Sequence, residues 1–420
     1  MRPKLLTTLQ SYSTKLFVAD MVAGVTVAMV ALPLSIAIAI ASGAQPAAGL
    51  VTAVIGGLIV SALGGSRVQI GGPTGAFIVV VYGVIQQFGF DGLLLATLMA
   101  GIILVIGGLL RAGRLIAVIP EPVIEGFTIG IAVIIAVSQL KDLLGETVSK
   151  MPAEFVETLP ALWGARGSVN LAALAIGVGT IALIMILRRF AARVPGSIIA
   201  IGIASAAVAL LALPVDTLQS RFGSLPNGLP MIALPPISME LLIALLPSAL
   251  VIAFLAGVES LLSAVVADRM IVGAHRSNAE LLAQGAANIV SPLFGGLPVT
   301  GAIARTATNV RAGGKTPVAG IVHALTILLV MVAAAPLAAY LTMPALAGLL
   351  IVTAWVMSEP HRWPERLRAS ASDRFLLFLT FGLTVLSSLT VAIAVGTTVG
   401  LAQRLLRRAT PPADESAPDG

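Results

Sequence analysis

From Met21 to Ser66 this chain runs 46 residues without an Asp, Glu, Lys or Arg. A water-facing surface cannot be built from such a stretch, whereas a bilayer core needs about 20 apolar residues per crossing helix. The run therefore holds two spans, divided by the turn residues Gly43, Pro46 and Gly49. The same pattern recurs along the chain, and composition agrees with it. Charged residues are 10% of 420, where soluble proteins carry about 25%. Gly, at 42 residues, is more frequent in spanning helices than in soluble ones. An all-α polytopic membrane protein is expected.

Further uncharged runs are Val68–Phe90, Gly92–Leu110, Gly126–Leu140, Gly167–Leu187, Val194–Val215, Leu241–Val258 and Leu281–Ala304, the first opening on the helix-poor QIGGPTGAF. Thr316–Ser358 and Phe375–Gln403 are long enough for two each. Counting short and broken helices separately gives about 14 transmembrane segments. Basic clusters at Arg111/Arg114, Arg188/Arg189/Arg193, Arg269/Arg276, Arg362/Arg366/Arg368/Arg374 and Arg404/Arg407/Arg408 follow even-numbered spans. The positive-inside rule then places both termini in the cytoplasm of an inner or plasma membrane, with Lys141–Arg166 and Asp216–Glu240 outside. In that setting the net charge of +6 and pI near 10.2 report cytoplasmic loops and imply no nucleic-acid partner. The start, with Arg2, Lys4 and Lys15, lacks a cleavage signal and reads as a retained cytoplasmic segment.

Zero cysteines and three scattered histidines offer no metal site. GGKT at Gly313–Thr316 fails the phosphate-loop spacing. No HExxH or Ser/His/Asp grouping supports an intramembrane hydrolase, so neither an enzyme nor a cofactor is expected.

An internal repeat is the most informative feature. Ile59–Gly65 reappears as Ile289–Gly296, Pro73-Thr74-Gly75-Ala76-Phe77 as Pro298-Val299-Thr300-Gly301-Ala302-Ile303, and Ala23-Gly24-Val25 as Ala256-Gly257-Val258. Offsets of 230, 226 and 233 residues keep one order. Seven spans per copy is odd, so the second copy enters from the opposite side, an inverted 7+7 repeat of the kind used by secondary transporters. Gln69–Pro73 and Leu297–Pro298 are then extended stretches feeding short helices from near Thr74 and Thr300. Two half-helix N-termini meeting at the centre make an anion site, each worth up to about 2 kcal/mol when partly buried.

Two ionisable residues lie near that site. Glu259, in AFLAGVESLLSAVV, costs about 2.5–3.5 kcal/mol at mid-bilayer and is a candidate proton carrier, with Ser260 nearby and Ser263 one turn on. Arg305 contacts the anion, pairs with Glu259 or snorkels to the surface. Glu121 and Glu125 read as a helix N-terminal pair and His323 as a satisfied core histidine.

These residues together resemble the SulP anion transporters, the solute carrier 26 family, over about Phe17 to Leu406. The likeness rests on DMVAGVTVAMVALPLSIAIAIASG (Asp20–Gly43), GGSRVQIGGPTGAF (Gly64–Phe77), IPEPVIEGFTIGIAVIIAVSQLKDLLG (Ile119–Gly145), AGVESLLSAVVADRM (Ala256–Met270) and GGLPVTGAIARTATNVRAGGKTPVAG (Gly295–Gly320). The resemblance implies a core domain (residues 19–114, spans 1–4, and 239–334, spans 8–11) and a gate domain (115–238, spans 5–7, and 335–408, spans 12–14). Residues 1–18 form the N-terminal segment. It implies a homodimer working by an elevator-like movement of the core. Carried over, the substrate site falls on Pro73, Thr74, Gly75, Ala76, Phe77, Val299, Thr300, Gly301, Ala302 and Arg305, and cation coupling on Glu259 with Ser263. The family's PQGMAYA reads Pro33-Leu34-Ser35-Ile36-Ala37-Ile38-Ala39 here, closer to branches moving C4-dicarboxylates or bicarbonate than sulfate. In place of the family's STAS domain stands a Pro/Asp/Ser tail, 409–420, that reads as disordered.

The expected function is secondary active transport of a small anion (C4-dicarboxylate, sulfate or bicarbonate) by proton-coupled symport. A sodium-coupled bicarbonate symporter and a passive anion channel or exchanger are the alternatives. The partners are the anion and the lipid bilayer, and the coupling ion is H+ or Na+.

Overall fold

The computed structural model describes residues 2–113, 120–148, 152, 155–191, 194–224, 226–387 and 389–409. The proposed disordered tail beyond Ala409 lies outside the described residues, as do Arg114 and Arg193 of the basic loops. The protein is mostly helical. Among the described residues, seven segments are long and apolar enough to cross a membrane: Thr14–Ala41, Pro46–Leu63, Gly75–Leu109, Glu121–Leu144, Leu171–Phe190, Met239–Met270 and Met343–Arg368. Shorter apolar helices occupy Gly196–Leu210, Val318–Ala333 and Val391–Gln403.

The main elements in chain order begin with α1 (Thr14–Ala41) and α2 (Pro46–Leu63). Strand β1 (Gly71–Gly72) precedes α3 (Ile78–Leu109), α4 (Glu121–Ser138), α5 (Leu171–Phe190) and α6 (Gly196–Leu210). Then come α7 (Met239–Met270), α8 (Ser277–Leu293), strand β2 (Thr300–Gly301), α9 (Ile303–Arg311) and α10 (Val318–Ala333). The last are α11 (Met343–Met357), α12 (Ala371–Leu386) and α13 (Leu389–Ala409). α1, α2, α3 and α7–α10 pack mainly on one another. α4, α5, α6 and α11–α13 form a second group of mutual neighbours. The two groups touch where α1 meets α6 and α11, and where Gly75–Phe77 meets α4 and α11.

Three local departures from the sequence reading have physical causes. The third and fourth expected spans are joined into α3, broken at Gly89, whose φ of 73° sits in the left-handed region that glycine adopts without a Cβ penalty. α2 carries a π-helical turn at Thr52–Gly56, a feature that widens the helix where something must pack into it. Here that is Val299, which a Cβ on Gly56 would strike. Finally, the chain is not purely helical: β1 and β2 pair antiparallel, Gly71 with Gly301 and Gly72 with Thr300. Two extended stretches buried side by side must satisfy each other's backbone groups. The partners lie 230 and 228 residues apart, close to the offsets of the sequence repeat.

Two charges at the edges of apolar runs prove fully buried. Asp20, near the start of α1, accepts from the backbone of Lys315 (2.9 Å) and Thr316 (3.2 Å) and from the Thr316 hydroxyl. This is what the GGKT turn does: it caps onto the first helix. Tyr12 donates to the same carboxylate at 3.1 Å. Burial, with the Asp20 charge next, pushes its phenol up to about 12. Glu280, on the first turn of α8, is the second.

Candidate functional site

The site is built on the two strands. Asn309 donates to Val68 O (2.8 Å), Thr306 Oγ1 accepts from Ile70 N (3.1 Å), and Ala302 N donates to Ile70 O (2.9 Å), so α9 staples the lead-in to β1. The lead-in to β2 is stapled in turn by Thr52, which accepts from Leu297 N (2.6 Å). Asn288 also holds it, bonding both Val299 N and Val299 O at 2.8 Å. Polar side chains of each half thereby replace the ladder that a strand this short lacks. The helices following the strands start slightly later than expected: a 3-10 turn at Gly75–Phe77 leads into α3, and α9 begins at Ile303. Because Ala302 N–H is taken by Ile70, the free donors at that end begin one residue further on.

Arg305, on the first turn of α9, is 2% exposed. Its Nη2 donates to Pro73 O (2.9 Å) and Ser35 Oγ (3.2 Å), while Nε and Nη1 find no acceptor among the described residues. Of the three readings left open by the sequence, snorkelling fails because the side chain points inward. A direct ion pair with Glu259 is absent too, although the two charges lie within electrostatic reach. Room for the guanidinium comes from Gly72, at φ 152°, where a Cβ would collide with Nη1.

Glu259, about two-thirds of the way along α7, lies deep among protein atoms yet keeps part of its surface open. Its Oε2 accepts from Thr74 Oγ1 at 2.9 Å, and Oε1 has no hydrogen-bond donor among the described residues. Thr74 itself is 7% exposed, and Ala76 remains half-buried. Gly75 faces the second helix group, where a Cβ would meet Met357 Sδ at 3.1 Å and Ile135 Cδ1 at 3.4 Å. Pro73, Thr74, Gly75, Ala76, Glu259 and Arg305 are thus gathered at the junction of the two groups.

The other candidates are placed differently. Phe77 and Val299 are packed into the core, Val299 against α2. The Thr300 hydroxyl donates to Ala256 O (3.1 Å), and Ser263 Oγ lies 3.2 Å from Thr306 Oγ1. Gly301 is where Gln69 crosses, its amide donating to Ser260 O (3.0 Å) and Oγ (2.9 Å). Ala302 is buried.

Sequence reasoning passed over Ser35, Gln69 and Glu280. Glu280 is 0% exposed and accepts from Gly65 N (2.8 Å), Ser66 N, Ser260 Oγ and Gln284 Nε2 (each 3.2 Å). The signal was a carboxylate abutting the apolar run from Leu281, read there only as a boundary. His323, expected to be satisfied, is fully buried with neither ring nitrogen hydrogen-bonded among the described residues.

A cleft of about 370 Å³ lies elsewhere, between Pro120, Glu125, Arg362, Arg366 and Gln403. Its charges are spent on one another: Arg362 bonds Glu121 and Glu125 at 3.0 Å, and Arg366 bonds Glu125 at 3.1 Å and Glu359 at 2.6 Å. It offers an anion no unpaired cation of the kind Arg305 presents.

Comparison with known proteins agrees with the geometry. The profile of the Sulfate permease family matches residues 17–380. The putative sulfate transporter YvdB of Bacillus subtilis (strain 168) is 42% identical over 389 residues, covering 92% of this chain and 73% of that protein. The bicarbonate transporter BicA of a Picosynechococcus strain is 32% identical over 388 residues, 90% of this chain and 68% of the relative. Among solved structures, the transmembrane domain of a cyanobacterial BicA superposes with a TM-score of 0.80 at 30% identity, covering 93% of this chain and 98% of that one. SLC26A9 shares the fold, with a TM-score of 0.87 at 19% identity over 96% of this chain and 68% of its own. This chain is a multi-pass membrane protein of the sulfate permease family.

Proposed function

We propose that this protein is a secondary active transporter of small anions, coupled to protons through Glu259. One observation carries the reading: Arg305 is buried in the membrane-spanning part with two nitrogens that no acceptor among the described residues meets. A buried guanidinium left partly unpaired costs several kcal/mol unless a ligand meets it. A compact anion beside Thr74 and Ala76 supplies the missing acceptors, helped by the half-helix ends of α3 and α9. The names of the relatives point to sulfate and bicarbonate; a C4-dicarboxylate suits the same donors.

Proton coupling fits the surroundings of Glu259 better than sodium does. A sodium ion needs several converging oxygens, and the hydroxyls of Ser263 and Thr300 are engaged with Thr306 and Ala256 instead. A bound anion and an ionised Glu259 repel each other in low dielectric, so proton and anion binding favour each other reciprocally.

The pairing of β1 with β2 near the repeat offset supports an inverted 7+7 repeat of 14 segments. The two helix groups correspond to the core (19–114, 239–334) and gate (115–238, 335–408). With the site at their junction, an elevator movement of the core exposes it alternately to each side. Both termini are placed in the cytoplasm of the plasma membrane, and the working unit is a homodimer. The test is an uptake panel in proteoliposomes with sulfate, bicarbonate, succinate, fumarate and chloride, with and without a pH gradient. Concentrative, gradient-dependent uptake of one anion is expected; flux that only equilibrates would make the protein a channel or exchanger instead.

A further inference from the structure

After Phe222 the chain crosses back from the second helix group to α7, and a long part of this crossing forms neither helix nor strand. Residues 227–237 are extended or bent, and Arg221 and Glu240 are the nearest charges on either side. Among the described residues, Ala233 N–H to Leu293 O (2.9 Å) is the sole main-chain hydrogen bond made by residues 227–237. Pro235 is buried and Leu229 half-buried, which pins the segment at two points. Met231, Ile232, Leu234 and Ile237 nevertheless stand 59–89% exposed.

Two requirements conflict here. Large exposed apolar side chains are poorly placed in water. An extended backbone with unmet carbonyls cannot lie in hydrocarbon, where each unsatisfied group costs several kcal/mol. Both requirements are met in one zone, the boundary between headgroups and acyl chains, about 5–10 Å deep, where water and headgroups reach the backbone. The sequence reduces the conflict further, since Pro230, Pro235 and Pro236 have no N–H to satisfy.

The location is set by continuity with a lipid-facing surface. α7 starts at Met239, and its residues Met239, Ile243, Leu246 and Leu250 are 46–72% exposed at helical spacing. On a spanning helix such a stripe faces lipid. Met231 to Ile237 lead directly into that stripe, and the bond from Ala233 N–H to Leu293 O holds them at the end of the molecule where α8 terminates. We propose that Leu229–Ile237 is a membrane-interface strap, inserted by Met231, Ile232, Leu234 and Ile237 into the headgroup boundary of the leaflet at the N-terminal end of α7.

The cysteine-free chain makes this directly measurable. Single Ile232→Cys and Leu234→Cys variants, exposed positions where folding is not at stake, are spin-labelled and placed in nanodiscs of phosphatidylcholine and phosphatidylglycerol. Accessibility to oxygen, which partitions into lipid, is compared with that to a water-soluble nickel chelate. Reference labels go at Val272→Cys, 98% exposed in the α7–α8 turn, and at Leu250→Cys on the α7 stripe. The strap positions should show an oxygen-to-nickel ratio several-fold above position 272 and below position 250. A ratio equal to that at 272 would put the segment in water and overturn the proposal. So would a ratio equal to that at 250. Exclusion of both reagents together with spin–spin broadening would overturn it by showing that a second copy covers the strap.

Discussion

Glu280 and Glu259 are both carboxylates enclosed by helices of the same group, yet their surroundings differ in kind. Glu280 accepts four hydrogen bonds, two from the backbone of Gly65 and Ser66 and two from Ser260 and Gln284. Every lone-pair direction is met, and no water reaches it. Among the described residues Glu259 accepts one, from Thr74, and stays partly exposed, while Arg305 is itself short of acceptors. In a low-dielectric interior an unmet polar group is costly, so it persists where something mobile completes it. A satisfied carboxylate holds loops in place; an unsatisfied one near an unsatisfied cation suits the proposed passage of ions.

The contrast can be broken most forcefully at Glu280. Glu280→Ala orphans four donors at about 1–3 kcal/mol each, against a total stability of about 5–15 kcal/mol. Fluorescence-detected gel filtration and thermal melting should show a several-fold loss of folded protein. A normal melt would mean that Glu280 is not a clasp. Arg305→Ala should act the other way, on transport more than on folding. Losing charge-assisted bonds of about 1.5–3 kcal/mol raises the apparent KM about 10- to 100-fold while the melting temperature changes little. Unchanged uptake would detach Arg305 from the anion.

A smaller intrusion sharpens the boundary of the site. Ala76→Leu fills the half-buried space beside Thr74 and should reduce uptake strongly, with the protein still monodisperse; uptake at the parental rate would move the site elsewhere. Thr74→Val should have the mildest effect. It removes one neutral hydrogen bond of about 0.5–1.5 kcal/mol, shifting the pH midpoint of uptake and changing its rate no more than about tenfold. A pH profile identical to the parent would show that Thr74 does not set the state of Glu259.

Much of this arrangement could be read from the residues. The repeat of Ile59–Gly65 at Ile289–Gly296 anticipated which two segments come together, and their strands do pair at nearly that offset. Glu259 and Arg305 stood out because a charge inside an apolar run is costly wherever it sits. Glu280 and Asp20 were overlooked for the complementary reason: a charge at the end of such a run looks like a helix boundary. Only tertiary structure shows that each caps a loop from the other half of the chain, Gly65–Ser66 and Lys315–Thr316 respectively. The π-helical turn at Thr52–Gly56 was equally hidden, because the side chain it packs against, Val299, is more than 240 residues away.

Glu259, the partly exposed carboxylate, is the proposed proton carrier for an anion held beside Arg305. Glu259→Gln mimics the neutral form in shape and charge and tests it directly in proteoliposomes under an imposed pH gradient. Accumulation against the anion gradient should disappear, while exchange between two loaded sides and substrate binding persist. Accumulation that still follows the imposed pH gradient in this variant would contradict the account.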